Sequence, residues 1–416
     1  MDIQKQLEEL RRRIAGIDRK YSNASPSGDR RARSAPRRYS IERYFDGTVV
    51  ETPHGSHFET ERLFARHRRH GSMEISELEQ LPPDLLSAIS SGEAPTVPAE
   101  RWAFLDTETT GLAGGSGTYA FLIGIGRITP EGFRVRQFFM RDYGEEQSLL
   151  HAVQEHLRAF DVLITYNGKT YDIPLLETRY RMSRLRPPFG RLAHVDLLFG
   201  ARRLWKLRFD SCRLVDLEYQ IFGVERVGDL PGEMIPYVYF EYLRNQEAER
   251  LVPVFHHNAV DILTLACLTG IVPFAFRSPG DAPLSHGAEL VGLARWLRQD
   301  GQLAQALALY RRAVEAGLPD DLLFRTLWDI GLLEKRLGNY EAAVTVFTDL
   351  GSCRNPFRVQ ALEELAKHYE HREKNYPMAL ECTQAALEIE DTPQLRHRAA
   401  RLEQKTAARS PAPRLL

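Results

Sequence analysis

The sequence predicts an α/β domain, in which helices flank a mixed β-sheet, followed by an all-α domain of repeated helices. Three observations support this fold class. Three strand-like apolar runs follow one another closely, helical and strand-like segments then alternate, and only helical periodicity remains beyond about residue 277. A meander of strands followed by alternating helices and strands is typical of a mixed sheet covered by helices.

The first three strands are predicted from WAFLDTET, TYAFLIGIGRIT and FRVRQFFMR, with a Pro-Glu-Gly turn between the second and the third. Residues 146–160 place apolar side chains three and four positions apart, which predicts an amphipathic helix. The segments VLITYN, IPLLETRYRMSRL and AHVDLLF then predict a strand, a helix, and a strand that leads into further helices.

Composition separates the flanking segments from this domain. The chain begins with a predicted short charged helix, and the Ser-, Pro- and Arg-rich stretch that follows predicts a disordered basic linker. A strand pair and a short helix near residues 84–89 are expected in an accessory lead-in segment. The predicted boundaries are 1–45 for the N-terminal helix and linker, 46–98 for the lead-in, 99–276 for the α/β domain, 286–405 for the helical domain and 406–416 for a disordered tail.

A repeat occupies roughly the last quarter of the chain. Its units GQLAQALALYRRAVEAG, GNYEAAVTVFTDLG and KNYPMALECTQAALEI align with a period of about 37 residues at Ala306, Ala343 and Ala379. An aromatic side chain follows one helical turn later in the first two units, at Tyr310 and Phe347. Such helix pairs bury their apolar faces only by stacking, and the pattern resembles lengthened tetratricopeptide repeats. A protein or peptide partner is therefore expected to bind this domain.

The overall composition is that of a soluble globular protein, with 416 residues, 43% of them hydrophobic, 27% charged, and a formal net charge of −1. Four widely spaced cysteines without a CxxC pair predict reduced thiols and a cytoplasmic location. The N-terminal segment lacks the apolar core of a signal peptide, and no apolar run approaches the ~18 residues that a membrane span needs. No membrane partner is expected.

The acidic residues carry the chemical information. Asp106 and Glu108 lie two positions apart in a predicted strand, so both carboxylates face the same side. Two unpaired carboxylates repel each other at the end of a buried strand, and divalent cations would reverse that cost. Oxygen ligands of this kind suit Mg²⁺ or Mn²⁺. A bare D-x-E occurs by chance, whereas the whole run FLDTETTGL is far more specific.

Two further acidic residues are candidates at a distance along the chain. Asp172 lies in ITYNGKTYDIPLL just before a predicted helix, where taken alone an N-cap role is favoured, although the same carboxylate could face a metal. Asp261 lies inside the predicted helix FHHNAVDILTLACL, and His257, one helical turn earlier, shares its face. His256 lies less squarely on that face. Each of these residues alone is compatible with an ordinary surface or capping position.

Taken together in this order, the three acidic segments resemble motifs I, II and III of the DnaQ-like DEDD exonuclease superfamily, whose fold is ribonuclease-H-like. The surrounding sequence is similar to the YprB-type branch, in which a tetratricopeptide-like segment can follow the nuclease-like domain. The resemblance covers about residues 101–276. Superfamily members place a catalytic histidine five residues before the last aspartate, at His256, or a tyrosine four residues before it, at His257. The HN-x-x-D spacing favours His257, and the choice stays open.

The resemblance implies a metal-dependent 3′–5′ exonuclease that hydrolyses phosphodiester bonds with two divalent ions, Mg²⁺ or Mn²⁺. The implied metal ligands are Asp106, Glu108, Asp172 and Asp261. One ion would generate the nucleophilic hydroxide and the other would stabilise the leaving 3′-oxygen, while His257 or His256 orients or deprotonates the attacking water. The expected contacts to the substrate are Thr109, Asn167 and Tyr171.

A basic run directly follows the second acidic segment. Between Arg179 and Arg213 the chain has ten Lys or Arg residues against two Asp and no Glu, with aromatic residues interleaved. This favours contact with a nucleic acid, DNA or RNA, and makes Arg179 a candidate substrate-binding residue. The alternative interpretation is that these arginines pair with acidic residues elsewhere and that the aromatic side chains belong to the core.

Two other functions stay open from the sequence. The protein could act chiefly as an adaptor through its helical repeats, with an inactive nuclease-like domain. It could also be a structure-specific endonuclease that uses the same chemistry.

Overall fold

The computed structural model describes residues 41–90, 92–111, 117–226, 228–282 and 284–409. The predicted N-terminal helix, most of the predicted basic linker and the end of the predicted tail lie outside these residues.

Nine β-strands are described: β1 Gly47–Thr52, β2 Gly55–Ala65, β3 Arg69–His70, β4 Met73–Glu74, β5 Trp102–Thr109, β6 Ala120–Thr129, β7 Gly132–Phe139, β8 Val162–Thr165 and β9 Ala193–Asp196. Seven of them form one mixed sheet in the order β1-β2-β7-β6-β5-β8-β9, and β3 pairs with β4 separately. In this order, each strand from β1 through β2, β7 and β6 to β5 is antiparallel to its neighbour, whereas β5, β8 and β9 run parallel to one another. The predicted mixed sheet is confirmed.

Residues of the predicted lead-in segment are part of this sheet. β2 pairs with β7 along eight residues, from Phe58 opposite Phe139 to Ala65 opposite Gly132, and β1 pairs with β2 at the edge. The helix predicted near residues 84–89 is absent, and this stretch forms successive turns instead. The hydroxyl of Ser90 donates to the carbonyl of Ser87 and accepts from a later backbone N–H, and such local bonds compete with a helical ladder.

Fourteen α-helices are described: α1 Glu146–Leu157, α2 Asp172–Met182, α3 Leu197–Trp205, α4 Leu214–Leu217, α5 Ile235–Asn245, α6 Val252–Thr269, α7 Val272–Arg277, α8 Gly287–Gln299, α9 Leu303–Glu315, α10 Asp320–Leu337, α11 Tyr340–Ser352, α12 Arg358–His368, α13 Tyr376–Ile389 and α14 Pro393–Arg409. Helices α1 and α6 cover opposite faces of the sheet. Adjacent residues of β7 show this, because the ring of Phe138 lies 5.6 Å from His156 of α1 and the ring of Phe139 lies 5.1 Å from Phe255 of α6.

Helix α6 is the central helix of the core. By length and composition alone, the stretch Ala248–Arg277 that contains it could cross a membrane, but 78% of its apolar 18-residue segment is buried inside the protein. Histidines and Asp261 interrupt the apolar residues of this stretch, so it did not stand out in the sequence as a continuous apolar run. Its burial against the sheet is that of a core helix.

An all-helical region follows the sheet, as predicted. Each helix from α8 to α14 packs against the next one in the chain. The three alanines aligned by the sequence repeat, Ala306, Ala343 and Ala379, are all buried, as are Tyr310 and Phe347. The repeat positions are therefore helix-packing positions, while their assignment as tetratricopeptide repeats stays a prediction.

Candidate active site

Asp106 and Glu108 lie at the carboxyl end of β5, near the middle of the sheet. The strand begins with four fully buried residues, Trp102 to Leu105, and becomes partly exposed from Asp106 onward. Its pairing with β6 shifts by one residue between Glu108 and Thr109. A bulge at this point ends the regular ladder, as bulges beside active sites commonly do.

Asp106 is held in place by two buried amide side chains. Asn258 of α6 donates its side-chain N–H to Asp106 Oδ2 at 2.8 Å and lies 3.3 Å from the Asp106 carbonyl oxygen. The Asn258 amide oxygen accepts from Gln137 Nε2 at 2.8 Å, and the same Gln137 nitrogen donates to the carbonyl of Phe255. Three elements, β5, β7 and α6, therefore fix the orientation of this carboxylate.

Asp172 is the first residue of α2 and not its N-cap. The N-cap is Tyr171, and it makes no side-chain capping bond. Asp172 Oδ1 instead accepts a hydrogen bond of 2.5 Å from the hydroxyl of Thr107 on β5. The N-cap interpretation favoured by the isolated motif is therefore wrong, because Tyr171 occupies the N-cap position and the Asp172 side chain bonds the neighbouring strand.

Asp261 and His257 lie one turn apart on α6 and face the same cluster. His257 Nε2 lies 3.5 Å from Asp261 Oδ2, while His257 Nδ1 donates to Asp229 at 3.0 Å. Asp261 Oδ1 accepts a hydrogen bond of 2.5 Å from Arg226, which also binds Asp229. A carboxylate only accepts, so Asp229 fixes the proton of His257 on Nδ1 and turns Nε2 toward the cluster.

His256 has different surroundings. Its Nδ1 accepts from Arg62 at 2.9 Å in an exposed position. Burial lowers the pKa of His256, and the charge of Arg62 lowers it further. Burial also opposes protonation of His257, but the hydrogen bond that it donates to Asp229 and the charges of Asp261 and Asp229 raise its pKa overall. Of the two candidate histidines, His257 is the one beside the carboxylates.

The four predicted carboxylates influence one another electrostatically. Burial raises the pKa of Asp106 well above its usual range, and the charges of Asp261 and Asp172 add to the shift. Burial raises the pKa of Glu108 in the same way, followed by the charge of Asp106. Burial also raises the pKa of Asp172 to about 6, against the hydrogen bond from Thr107. The cluster is short of positive charge at these three residues.

A cavity of about 640 Å³ opens beside the cluster. Asp106, Asp261 and Asn167 line one part of it, and Arg202 and Lys206 line another. The Asn167 backbone has the left-handed conformation (φ 68°), which is held because Asp196 accepts from the backbone N–H groups of Asn167 and Lys169. An Asn in this conformation is several times more common than most residues.

The other predicted substrate contacts have different positions. Thr109 ends β5, and its hydroxyl donates to the carbonyl of Gly111. The Tyr171 side chain is 56% exposed. Arg179 is buried, pairs through two nitrogens with Glu146 and lies over the ring of Tyr119. The guanidinium of Arg179 is thus already engaged inside the protein, and its expected contact with substrate stays a prediction.

The basic run divides into two groups. Five of its ten cations are bound within the protein: Arg179, Arg181, Arg191, Arg208 and Arg213. Arg202 and Lys206 are exposed on consecutive turns, and neither has an ion-pair partner within the part of the chain that is described. Some arginines of the run therefore pair with acidic residues, as the alternative interpretation expected, whereas Arg202 and Lys206 line the cavity.

The donor set fits a hard divalent cation in its chemistry. Four carboxylates converge from β5, α2 and α6, and no hydrogen-bond donor among the described residues reaches Glu108. Within the described ranges, however, no group of three or more His, Cys, Asp or Glu side chains is arranged so that it could hold a metal ion as it stands. The side chains suit Mg²⁺ or Mn²⁺, and binding would require them to adjust.

Five residues that hold the carboxylates or their direct partners were not predicted from the sequence: Thr107, Asn258, Gln137, Arg226 and Asp229. Asn258 lies three positions before Asp261 on the same helix, so helical spacing was a usable signal for it. Gln137 comes from a strand whose alternation gives no chemical hint. Arg226 and Asp229 come from the segment between α4 and α5, and only the fold brings them to the site.

Comparisons with known proteins place this region in a family. A family model described as RNase H superfamily matches residues 103–272, which run from β5 to the first residue of α7. The match includes all four carboxylates and both candidate histidines.

Two relatives resemble the chain over very different extents. The uncharacterised protein YprB of Bacillus subtilis (strain 168) is 35% identical over 352 residues, covering 81% of this chain and 83% of YprB. A DNA polymerase of Methanocaldococcus jannaschii is 28% identical over 102 residues, covering 20% of this chain and 6% of the polymerase. The likeness to YprB thus extends well beyond the RNase H-like core.

Proposed function

The chain belongs to the family of the Bacillus subtilis protein YprB, and from this membership and the geometry of the site we propose that it is a metal-dependent 3′–5′ exonuclease of the DEDD type. The RNase H-like core by itself indicates a nuclease-type hydrolase that binds nucleic acid. The finer proposal is carried by one observation. Four carboxylates from three segments that are remote in sequence meet at the end of β5, and burial and mutual repulsion raise the pKa of Asp106 and Glu108.

Asp106, Glu108, Asp172 and Asp261 are the residues that would hold divalent cations. Bound there, such cations would neutralise the carboxylates and stabilise the negative charge that develops on the phosphate during hydrolysis. Neighbouring side chains of the protein orient these carboxylates. Asn258 holds one oxygen of Asp106, Thr107 holds one oxygen of Asp172, and the other oxygen of each carboxylate stays available.

His257 is the residue we assign to the attacking water. Its Nδ1 proton is committed to Asp229, so Nε2 is the nitrogen free to accept a proton from water. Nε2 faces Asp261, which keeps it at the carboxylate cluster. His256 lacks this arrangement, because its Nδ1 is bound to Arg62 at the surface.

The substrate strand is proposed to lie in the cavity beside the cluster. Arg202 and Lys206 are the cations that face it without partners among the described residues, and Phe209 also lines this cavity with an aromatic ring. Cations that track a phosphate backbone and an aromatic ring that stacks on bases are the usual features of a single-strand groove. Similarity of part of the chain to a protein named DNA polymerase agrees with a nucleic-acid substrate.

The test is a cleavage assay on the full chain with Mn²⁺. Single- and double-stranded DNA and RNA, labelled at the 5′ end, distinguish the alternatives directly. A ladder of products shortened from the 3′ end is the expected result. Single internal cuts would instead indicate an endonuclease, and absence of cleavage would leave an adaptor that acts through its helical region.

A matched pair of variants locates the activity. Asp106→Asn removes one charge from the cluster and should abolish cleavage while the protein stays folded. Asp161→Asn makes the same chemical change in a surface ion pair with Arg101 and should leave cleavage intact. Equal activity of Asp106→Asn and the wild-type protein would overturn the proposed site.

A further inference from the structure

Arg226 is a buried cation inside the carboxylate cluster. Its side chain is only 8% exposed, and it contacts three carboxylates. Arg226 Nη2 donates to Asp261 and Nε donates to Glu218, both at 2.5 Å, while Nη1 lies 3.3 Å from Asp229. Of these three acids only Asp261 belongs to the proposed metal ligands.

Countercharge is therefore shared unequally among the four proposed ligands. Asp261 faces the guanidinium of Arg226 through one oxygen. Asp106 and Asp172 receive only neutral donors, Asn258 and Thr107. No donor from the described part of the chain contacts Glu108. An incoming cation thus meets three carboxylates that lack a charged partner, whereas the fourth, Asp261, already binds Arg226.

Arg226 is anchored on the side away from Asp261. Glu218 is fully buried, accepts from Arg226 and lies 3.1 Å from His70. Moving the guanidinium away from the cluster would leave this buried carboxylate without its main countercharge, which is costly. Arg226 is consequently expected to stay where it is when a cation binds elsewhere in the cluster.

We propose that Arg226 is a built-in counter-ion for Asp261, which limits the cluster to one tightly held divalent cation, bound by Asp106, Glu108 and Asp172. A second cation would have to share Asp261 with a guanidinium of the same sign, so it binds only weakly while Arg226 is present. This inference rests on the proposed function, because it assumes that the cluster is a metal site.

The test is the binding stoichiometry of Mn²⁺ on the full chain, measured by electron paramagnetic resonance of the unbound ion. Wild-type protein should bind one Mn²⁺ tightly. Arg226→Gln should bind two, with a second-site Kd lower by about tenfold or more, in the range usual for coupled sites. Arg226→Lys keeps the charge and should retain the wild-type stoichiometry. Arg298→Gln, which breaks an ion pair with Asp329 in the helical region, is the matched control and should change nothing.

A double variant keeps the test decisive if Arg226→Gln does not fold. Glu218→Gln with Arg226→Gln removes both partners together, so no buried charge is stranded, and it should also bind two ions. Two equal sites in the wild-type protein, or one site in both Gln variants, would overturn the inference while Mn²⁺-dependent cleavage upheld the proposed function. Absence of Mn²⁺ binding together with absence of cleavage would overturn both.

Discussion

Three of the four carboxylates of the cluster each bind a different partner. Asp106 binds the amide of Asn258, Asp172 binds the hydroxyl of Thr107, and Asp261 binds the guanidinium of Arg226. Burial is the largest cause of the raised pKa of Asp106 and Glu108, and repulsion from neighbouring carboxylates raises both values further. The neutral donor Asn258 offsets only part of this rise at Asp106. At the scale of single residues, three of the four carboxylates therefore lack a positively charged partner among the described residues.

This charge predicts a pH-dependent stabilisation by Mn²⁺. Burial raises the pKa of Asp172 to about 6, so the folded state binds more protons than the unfolded state between its ordinary value near 4 and 6. Stability from this group is therefore present at low pH and falls as the pH rises through that window. We expect Mn²⁺ to raise the Tm more at about pH 7.5 than at about pH 5, by thermal unfolding followed by fluorescence. An equal rise at both pH values would contradict the expectation.

The two histidines predict a second contrast. His257→Ala should lower kcat by about 10²–10⁴-fold, because the residue that we assign to the attacking water is lost. His256→Ala removes a surface contact with Arg62 and should change kcat only a few-fold. Steady-state cleavage of a labelled oligonucleotide measures both. The reverse order of effects would transfer the role to His256.

The sequence predicts which acidic residues meet, but not what holds them. Asp106, Glu108, Asp172 and Asp261 can be selected together from the resemblance of their three segments, in this order, to the motifs of the exonuclease superfamily. The partners could not be selected, because Arg226 and Asp229 lie in a segment whose path depends on tertiary packing. Asp172 shows the same limit, since local propensity favours a cap and a contact with a different strand prevails.

At the scale of elements, two glycines decide how closely α6 approaches the sheet. Gly124 lies opposite Asp106 in the β5–β6 ladder, and a Cβ there would overlap with Asn258 Oδ1 and with Ile262. A Cβ at Gly126 would overlap with Ile262 and with Phe133. The absence of side chains at these positions brings α6 near enough for Asn258 to reach Asp106.

Gly124→Ala should therefore damage stability and activity together. Forcing a methyl group into this contact should lower the free energy of unfolding by about 1–3 kcal/mol and separate Asn258 from Asp106. Urea unfolding and the cleavage assay measure the two effects. Gly190→Ala is the control, because nothing lies within 4 Å of its added Cβ. Full activity of Gly124→Ala would show that the close approach does not position the carboxylate.

The elements themselves were largely predictable where the pattern is strong. The strands around Asp106, the helix with Asp172 and the helix with Asp261 follow directly from apolar periodicity. The structure of the stretch near residues 84–89 was not predictable in this way, because the Ser90 side chain forms local hydrogen bonds that compete with the expected helix. The sequence gives no indication that β1 and β2 join the main sheet, since edge pairing depends on partners distant in the chain.

At the scale of the whole molecule, one core connects the sheet to the first helices of the C-terminal region. A continuous set of buried side chains extends from Ile75 to Leu333, and a second set lies between Ala343 and Leu395. Glu289 of α8 accepts from Trp205 Nε1 at 3.0 Å and from Arg208 at 2.6 Å, which ties α8 to α3. The sequence repeat marks the helices but not this attachment.

Glu289→Ala should lower the free energy of unfolding by about 1–3 kcal/mol, because the buried indole N–H of Trp205 loses its acceptor. Glu289→Gln keeps an acceptor and should cost less. Chemical unfolding followed by circular dichroism should show a single transition for both variants, since the core is shared. Two separate transitions, of which only the first differs between the variants and the wild-type protein, would mean that the helical region folds independently.

The proposed metal cluster is tested most directly by a crystal structure of the protein grown with Mn²⁺, using the anomalous scattering of the ion. We expect an anomalous peak among the carboxylates at the end of β5, with Asp106, Glu108 and Asp172 as its protein ligands. The absence of a peak there at saturating Mn²⁺, or a peak bound only by other residues, would contradict the assignment of this cluster as the centre of a metal-dependent nuclease.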